Sequence, residues 1–366
     1  MKKTHAIIFA IISLCFNNNI QANYILNDDT ISNNMFSIAM HQHYGFIIIH
    51  STEIRAIKDS YPIGTELTFN WQKMNQESWD LCYCYPRIGV LVSFFDFDNK
   101  SILGYGYNVA GFIEPFFPIN QKINISFRLA SGLSFNTNPY DSIKNPNNLS
   151  YSLPINEYSQ LAGSVHYTVN SKLRIILSVN YNHISNGGLK QPNKGINYPT
   201  LSIGADYIPE SRPYINRIRT RYNGEKKIRY NFSSSYFPKK IIENDKYFSV
   251  VGLTTGISKQ IGRISALTAD LEWVWDGTLK WQVQNNNEHK DYQRGAILMG
   301  HEFLMGRIIF SQKLGIYLYD KLKYNDSLYQ KYGINFFLSQ NFFTGLHIKA
   351  HRHIADFMQV QIGYSF

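Results

Sequence analysis

SALTADLEWVW, residues 265–275, alternates without a break. Its odd positions are Ser265, Leu267, Ala269, Leu271, Trp273 and Trp275, and its even positions include Thr268, Asp270 and Glu272. An extended chain with this order has one oily face and one charged face over about ten residues, the length of a tilted strand crossing a bilayer. A soluble sandwich alternates too, so repetition carries the weight. The same two-fold period runs through 64–71, 87–97, 102–116, 123–135, 173–185, 200–207, 249–260 and 332–343. Turn clusters such as DNKS (98–101) and NTNPYDSIKNPNN (136–148) separate the runs. No convincing helical period follows residue 22, and no internal repeat or dividing linker stands out.

Composition agrees. Aromatic residues reach 15% against 17% charged, in a chain of 366 residues. Lys2 and Lys3, the apolar run Ala6 to Phe16 and a polar exit ending at Ala22 read as a cleaved signal peptide over 1–22, too short to span a membrane. Cys15 follows Leu14 rather than a small residue, which speaks against a lipoprotein. Cys82 and Cys84 are expected as two small apolar residues of a strand, since neighbours so close on an extended chain do not readily close a bridge. The net charge of +10 is concentrated between Arg212 and Tyr230. An exported chain with no nucleic-acid-binding fold points this segment at anionic lipid head groups or at plain solvent. ADFMQVQIGYSF (355–366) alternates up to Phe366, similar to the terminal strand of bacterial outer-membrane barrels. The expectation is an all-β chain: an antiparallel transmembrane β-barrel of roughly 12–16 strands, over 23–366, in the bacterial outer membrane.

In 173–185 the oily face is the odd one: Leu173, Ile175, Leu177, Val179, Tyr181. His183 and Ser185 continue it, and Asn197 shares the odd face of the next strand if that strand extends back so far. Polar groups facing hydrocarbon are costly unless they pair or do work. They could mark the membrane boundary, where such groups cost nothing. They could also be a nucleophile, the base that activates it and a third group that fixes the base's tautomer, which is the set a serine esterase needs.

HISNGGLKQPNKGIN (183–197) resembles the active-site hairpin of the lipid A 3-O-deacylase family of outer-membrane barrels, at His183, Ser185, Asn186, Gly188, Leu189, Pro192, Asn193 and Gly195. The resemblance implies Ser185 as nucleophile and His183 as general base. It implies Asn186 and the amides of Gly187 and Gly188 as oxyanion donors, with Asn193 supporting the hairpin. That family's third member is a glutamate where this chain has Asn197. YNHISNG (181–187) also resembles outer-membrane phospholipase A, whose third member is an asparagine. That enzyme's calcium does not carry over, because 186–196 holds lysines and no carboxylate. No cofactor or metal is expected, although His41 with His43 and His351 with His353 form HxH pairs. The expected substrate is lipid A of lipopolysaccharide, with no nucleic-acid partner. A glycerophospholipid acyl hydrolase and a non-catalytic barrel with a degenerate triad stay open as alternatives. The family's typical barrel has eight strands, so the second half of this chain is left without a role.

Overall fold

The computed structural model describes residues 34–215, 217, 219, 226–241, 244–324, 326–351 and 354–366. Residues 1–22, expected to be a signal peptide, and His353 lie outside them.

The first nine strands are β1 (Asn34–Gly45), β2 (Ile63–Lys73), β3 (Arg87–Asp96), β4 (Tyr105–Glu114), a short β5 (Phe116–Pro118), β6 (Ile123–Asn136), β7 (Ile155–Asn170), β8 (Leu173–Ser185) and β9 (Ile196–Tyr207). β1 pairs with both β2 and β9, and β4 pairs with β6, so eight long strands close a ring. Then come β10 (Ile228–Ile241), β11 (Asn244–Gln260), β12 (Ser265–Asp276) and β13 (Gln293–Met305), followed by β14 (Ile308–Asp320), β15 (Leu328–Phe337), β16 (Phe342–His351) and β17 (Ile354–Ser365). These close a second ring, in which β17 pairs back on β10.

The antiparallel barrel expected from the alternation is therefore present, but its long strands divide between two rings of eight instead of one larger ring. The reason lies in β1, a strand hidden in NMFSIAMHQHYG, whose histidines and glutamine blur its alternation. Pairing of Met40 with Ala205 and of Gln42 with Ile203 gives β9 its second neighbour and closes the first ring early. Of the basic stretch expected to meet lipid head groups or solvent, Arg212, Arg217, Arg219, Lys226 and Lys227 lie between β9 and β10, and Arg229 lies in β10. The run 332–343 is likewise two strands, parted by a turn at 338–341.

Both rings are polar inside and oily outside. Leu177, Val179, Leu201 and Ile203 are each at least 60% exposed, whereas Arg174, Asn180, Asn182 and Asp206 on the same two strands are buried. Water would penalise that arrangement and lipid favours it, because closed strands leave no backbone group unpaired in hydrocarbon.

Inside the first ring, Arg128 bridges Glu66 at 2.8 Å and Glu114 at 3.1 Å, and Arg87 meets Asp206 at 3.1 Å. In the second ring, Lys331 and Lys349 converge on Glu272. At the end where β8 stops, the polar filling gives way to an apolar cap. Ile54 and Ile57 of a 3-10 helix (Thr52–Ile57) pack there with Phe95, Phe97, Leu103, Tyr151, Ile184 and Ile196.

Helices are few and short: α1 (Gln76–Cys82) and α2 (Gly277–Asn285), capped by the side chains of Asn75 and Asp276. α1 corrects the expectation for the cysteines. Tyr83 turns left-handed at φ 53°, so Cys82 and Cys84 face each other and are joined by a disulfide, with Cα atoms 5.1 Å apart. His41 and His43 point into the first ring, where His43 Nδ1 lies 3.1 Å from Thr200 Oγ1. Among the described residues, no three or more His, Cys, Asp or Glu side chains are placed to hold a metal ion.

Removing one partner of a buried ion pair leaves the other charged and unpaired. Arg128→Met is expected to destabilise the folded barrel by about 3–5 kcal/mol. A lower temperature for loss of the compact band in unheated detergent gels would show this, with Lys122→Met, at an exposed turn, as the neutral comparison.

Candidate active site

In β8 and β9 the residues Ile184 and Ile196 pair directly, and both are fully buried in the apolar cap. Successive side chains on a strand alternate, so their neighbours must face outward. This places His183, Ser185 and Asn197 together on the outer surface, with His183 directly across from Asn197. His183 Nε2 is 3.0 Å from Ser185 Oγ, and its Nδ1 is 2.7 Å from Asn197 Oδ1. An amide oxygen only accepts, so Nδ1 carries the ring proton and Nε2 keeps a lone pair toward the serine. Ser185 is 7% exposed.

Two further residues reach this surface. His50, in the loop after β1, has its Nδ1 3.3 Å from Asn197 Nδ2 and its Nε2 2.9 Å from the Lys194 carbonyl. Glu157 on β7 lies directly across from Ser185 and accepts from Ser131 Oγ at 3.3 Å. Sequence reading missed both. The parity of β7 would have placed Glu157 on the oily face, but no local signal ties His50 to a site 133 residues or more away.

The loop from 186 to 195 is organised around the buried Asn186. Its Oδ1 accepts from Gly188 N at 3.0 Å, and its Nδ2 donates to the Lys190 carbonyl at 2.7 Å and to Ser152 Oγ at 3.2 Å. The Asn186 N–H donates to Asn193 Oδ1 at 2.9 Å. Asn186 and the Gly188 amide are thus engaged within the loop. The Gly187 N–H and Asn193 Nδ2 have no partner among the described residues. Gly195, at φ +70°, brings the returning strand over the site, where a Cβ would stand 3.0 Å from His183 Cε1. Lys194 closes the loop against Glu53 at 2.5 Å. That hydrogen bond and charge hold the exposed Glu53 carboxyl below its ordinary range.

The tip of this loop belongs as much to the second ring as to the first. Met358 N donates to the Gly187 carbonyl at 3.1 Å, and Leu189 packs on the apolar cluster of Phe237, Val250, Val274 and Phe357. At Gly188, φ +86°, an added Cβ would meet the Asp356 carbonyl at 3.0 Å. At the other end of the strands, the Arg263 guanidinium lies 4.3 Å above the Tyr83 ring and donates to the Asp80 carbonyl.

Another serine–histidine contact exists on the second ring, Ser265 Oγ to His301 Nε2 at 2.7 Å. Among the described residues His301 Nδ1 has no hydrogen-bond partner that would fix its tautomer.

Residues 61–206 match the family profile described as lipid A 3-O-deacylase (PagL), and residues 224–366 match the acyloxyacyl hydrolase C-terminal domain. Among solved structures, Neisserial surface protein A is similar at 10% identity, covering 48% of this chain and 97% of that one, with a TM-score of 0.31. A mutant Rh. blastica porin is similar at 9% identity, covering 91% of this chain and 100% of that one, with a TM-score of 0.20. No curated protein matches the chain.

Leu189→Ala is expected to loosen the loop by about 1.5 kcal/mol, the lower end for a side chain of this size that is only partly buried. Trypsin should then cut the folded protein after Lys190 or Lys194 faster than the parent; equal cutting rates would show that Leu189 does not anchor the loop.

Proposed function

The chain belongs to the lipid A 3-O-deacylase family of the bacterial outer membrane, and we propose that it cuts its ester bond with Ser185, His183 and Asn197. It is a lipid A deacylase and an acyl ester hydrolase. The finer reading is that the bond cut is the 3-O-linked acyl ester. The observation that carries the residue assignment is the continuous line of contacts from Ser185 Oγ through His183 to Asn197 on the lipid-facing surface.

Ser185 Oγ attacks the ester carbonyl while its proton passes to His183 Nε2. The negative charge that develops on the carbonyl oxygen needs donors already in place. The Gly187 N–H and Asn193 Nδ2, without a partner among the described residues, are the better candidates, since Asn186 and the Gly188 amide are engaged in holding the loop. One such donor lowers the barrier by about 3–4 kcal/mol. His183 then gives that proton to the departing sugar oxygen, which leaves as the hydroxyl while the acyl chain stays on Ser185. Water, deprotonated by His183, attacks the acyl-enzyme, and the proton passes from His183 to Ser185 Oγ as the fatty acid leaves. The lipid substrate needs no water-filled route, because the nucleophile already faces the bilayer.

Ser185→Ala is expected to lower turnover by at least about a thousandfold, and Asn193→Ala by about a hundredfold. Mass spectrometry of lipid A from cells carrying each variant reads both. Parent cells should lose one acyl chain by mass, at the position identified by fragmentation. Loss of the chain with Ser185→Ala in place would end the assignment, and accumulation of lysophospholipid with intact lipid A would move the substrate to glycerophospholipids.

A further inference from the structure

A neutral amide in place of the third carboxylate poses a chemical problem. A carboxylate presents acceptors at both oxygens, whereas an amide has one accepting end and one donating end. If Asn197 turned its NH2 toward His183, the imidazole would keep its lone pair on Nδ1 and its proton on Nε2. Nε2 could then no longer take the proton of Ser185. In a serine protease, changing the triad aspartate to asparagine costs about 10⁴ in kcat for this reason. Something must hold the amide the right way round.

We propose that His50 is that element: a positioning residue which accepts from Asn197 Nδ2 and so fixes Asn197 Oδ1 toward His183. The inference rests on the assignment of Ser185, His183 and Asn197 above. His50 Nε2 lies 2.9 Å from the Lys194 carbonyl, which can only accept, so the ring proton is on Nε2. Nδ1 is left with a lone pair, 3.3 Å from Asn197 Nδ2. The Ile48 carbonyl, 3.3 Å from the same nitrogen, has no donor to offer and leaves that lone pair to the amide.

The contacts then run in one direction. Ser185 O–H donates to His183 Nε2, His183 Nδ1–H to Asn197 Oδ1, Asn197 Nδ2–H to His50 Nδ1, and His50 Nε2–H to the Lys194 carbonyl. Reversing His183, Asn197 or His50 breaks two bonds. His50 is held for this duty by backbone: Ile48 N donates to the Asn197 carbonyl at 2.8 Å and Phe46 N to the Pro199 carbonyl at 3.3 Å, so the loop runs beside β9. Its far end closes on the loop that carries the site, through Lys194.

The test is a double-mutant cycle in the purified full chain, read on lipid A in detergent micelles and by the rate at which a fluorophosphonate labels Ser185. His50→Phe keeps a ring and removes both nitrogens. In the parent it should lower kcat and the labelling rate by at least about tenfold while KM stays within twofold. In an Asn197→Asp background, where either oxygen serves His183, the same change should alter kcat by less than about twofold. Retention of the compact band in unheated gels checks folding of every variant. Parent-like kcat in His50→Phe overturns the proposal. So does an equal loss in both backgrounds, which would make His50 merely structural, and so does an inactive Asn197→Asp. Activity surviving Ser185→Ala would instead overturn the underlying assignment.

Discussion

Everything at the site depends on the pleat of two paired strands. Ile184 and Ile196 lie across from each other and are both fully buried in the apolar cap. Because side chains alternate, that pair settles where His183, Ser185 and Asn197 must point. A slip of one residue would send the polar trio into the cap and two isoleucines outward. The cap therefore does more than seal the barrel. Its demand for apolar side chains at these two positions fixes the register on which the chemistry rests.

The interior of the first ring reinforces this. Arg128, Glu66 and Glu114 fill its middle with paired charge, and the cap closes the end beside the site. Such a filling stiffens a barrel and suits an enzyme acting from its outer wall better than a channel. With Ser185, His183 and Asn197 on the outer face, the proposed site would meet lipid, whereas that of a soluble esterase opens to water. Here the substrate shares the solvent of the strand face.

Much of this was legible in one dimension. Period-two alternation gave the strand faces, and the parity of 173–185 put His183 and Ser185 on the oily side, where they are found. What failed did so for physical reasons. β1 carries His41, Gln42 and His43 in succession and so lacks a clean alternation, yet it is the strand that closes the first ring. The spacing of the cysteine pair suggests extended chain, whereas the left-handed Tyr83 folds it back on itself. His50 could not be seen at all, because its place beside Asn197 is set by a loop running along β9. Contacts between elements distant in sequence leave no local pattern to read.

The two rings touch at both ends of their strands, through Gly187 and Leu189 against β17 at one end and through Arg263 on Tyr83 at the other. Two fixings so far apart act as a truss. Either alone would be a hinge about which one ring could pivot; together they oppose tilt and sliding alike. The loop following Ser185 is therefore bound to the walls of two barrels at once. The second ring thus gives the loop after Ser185 a footing outside its own barrel.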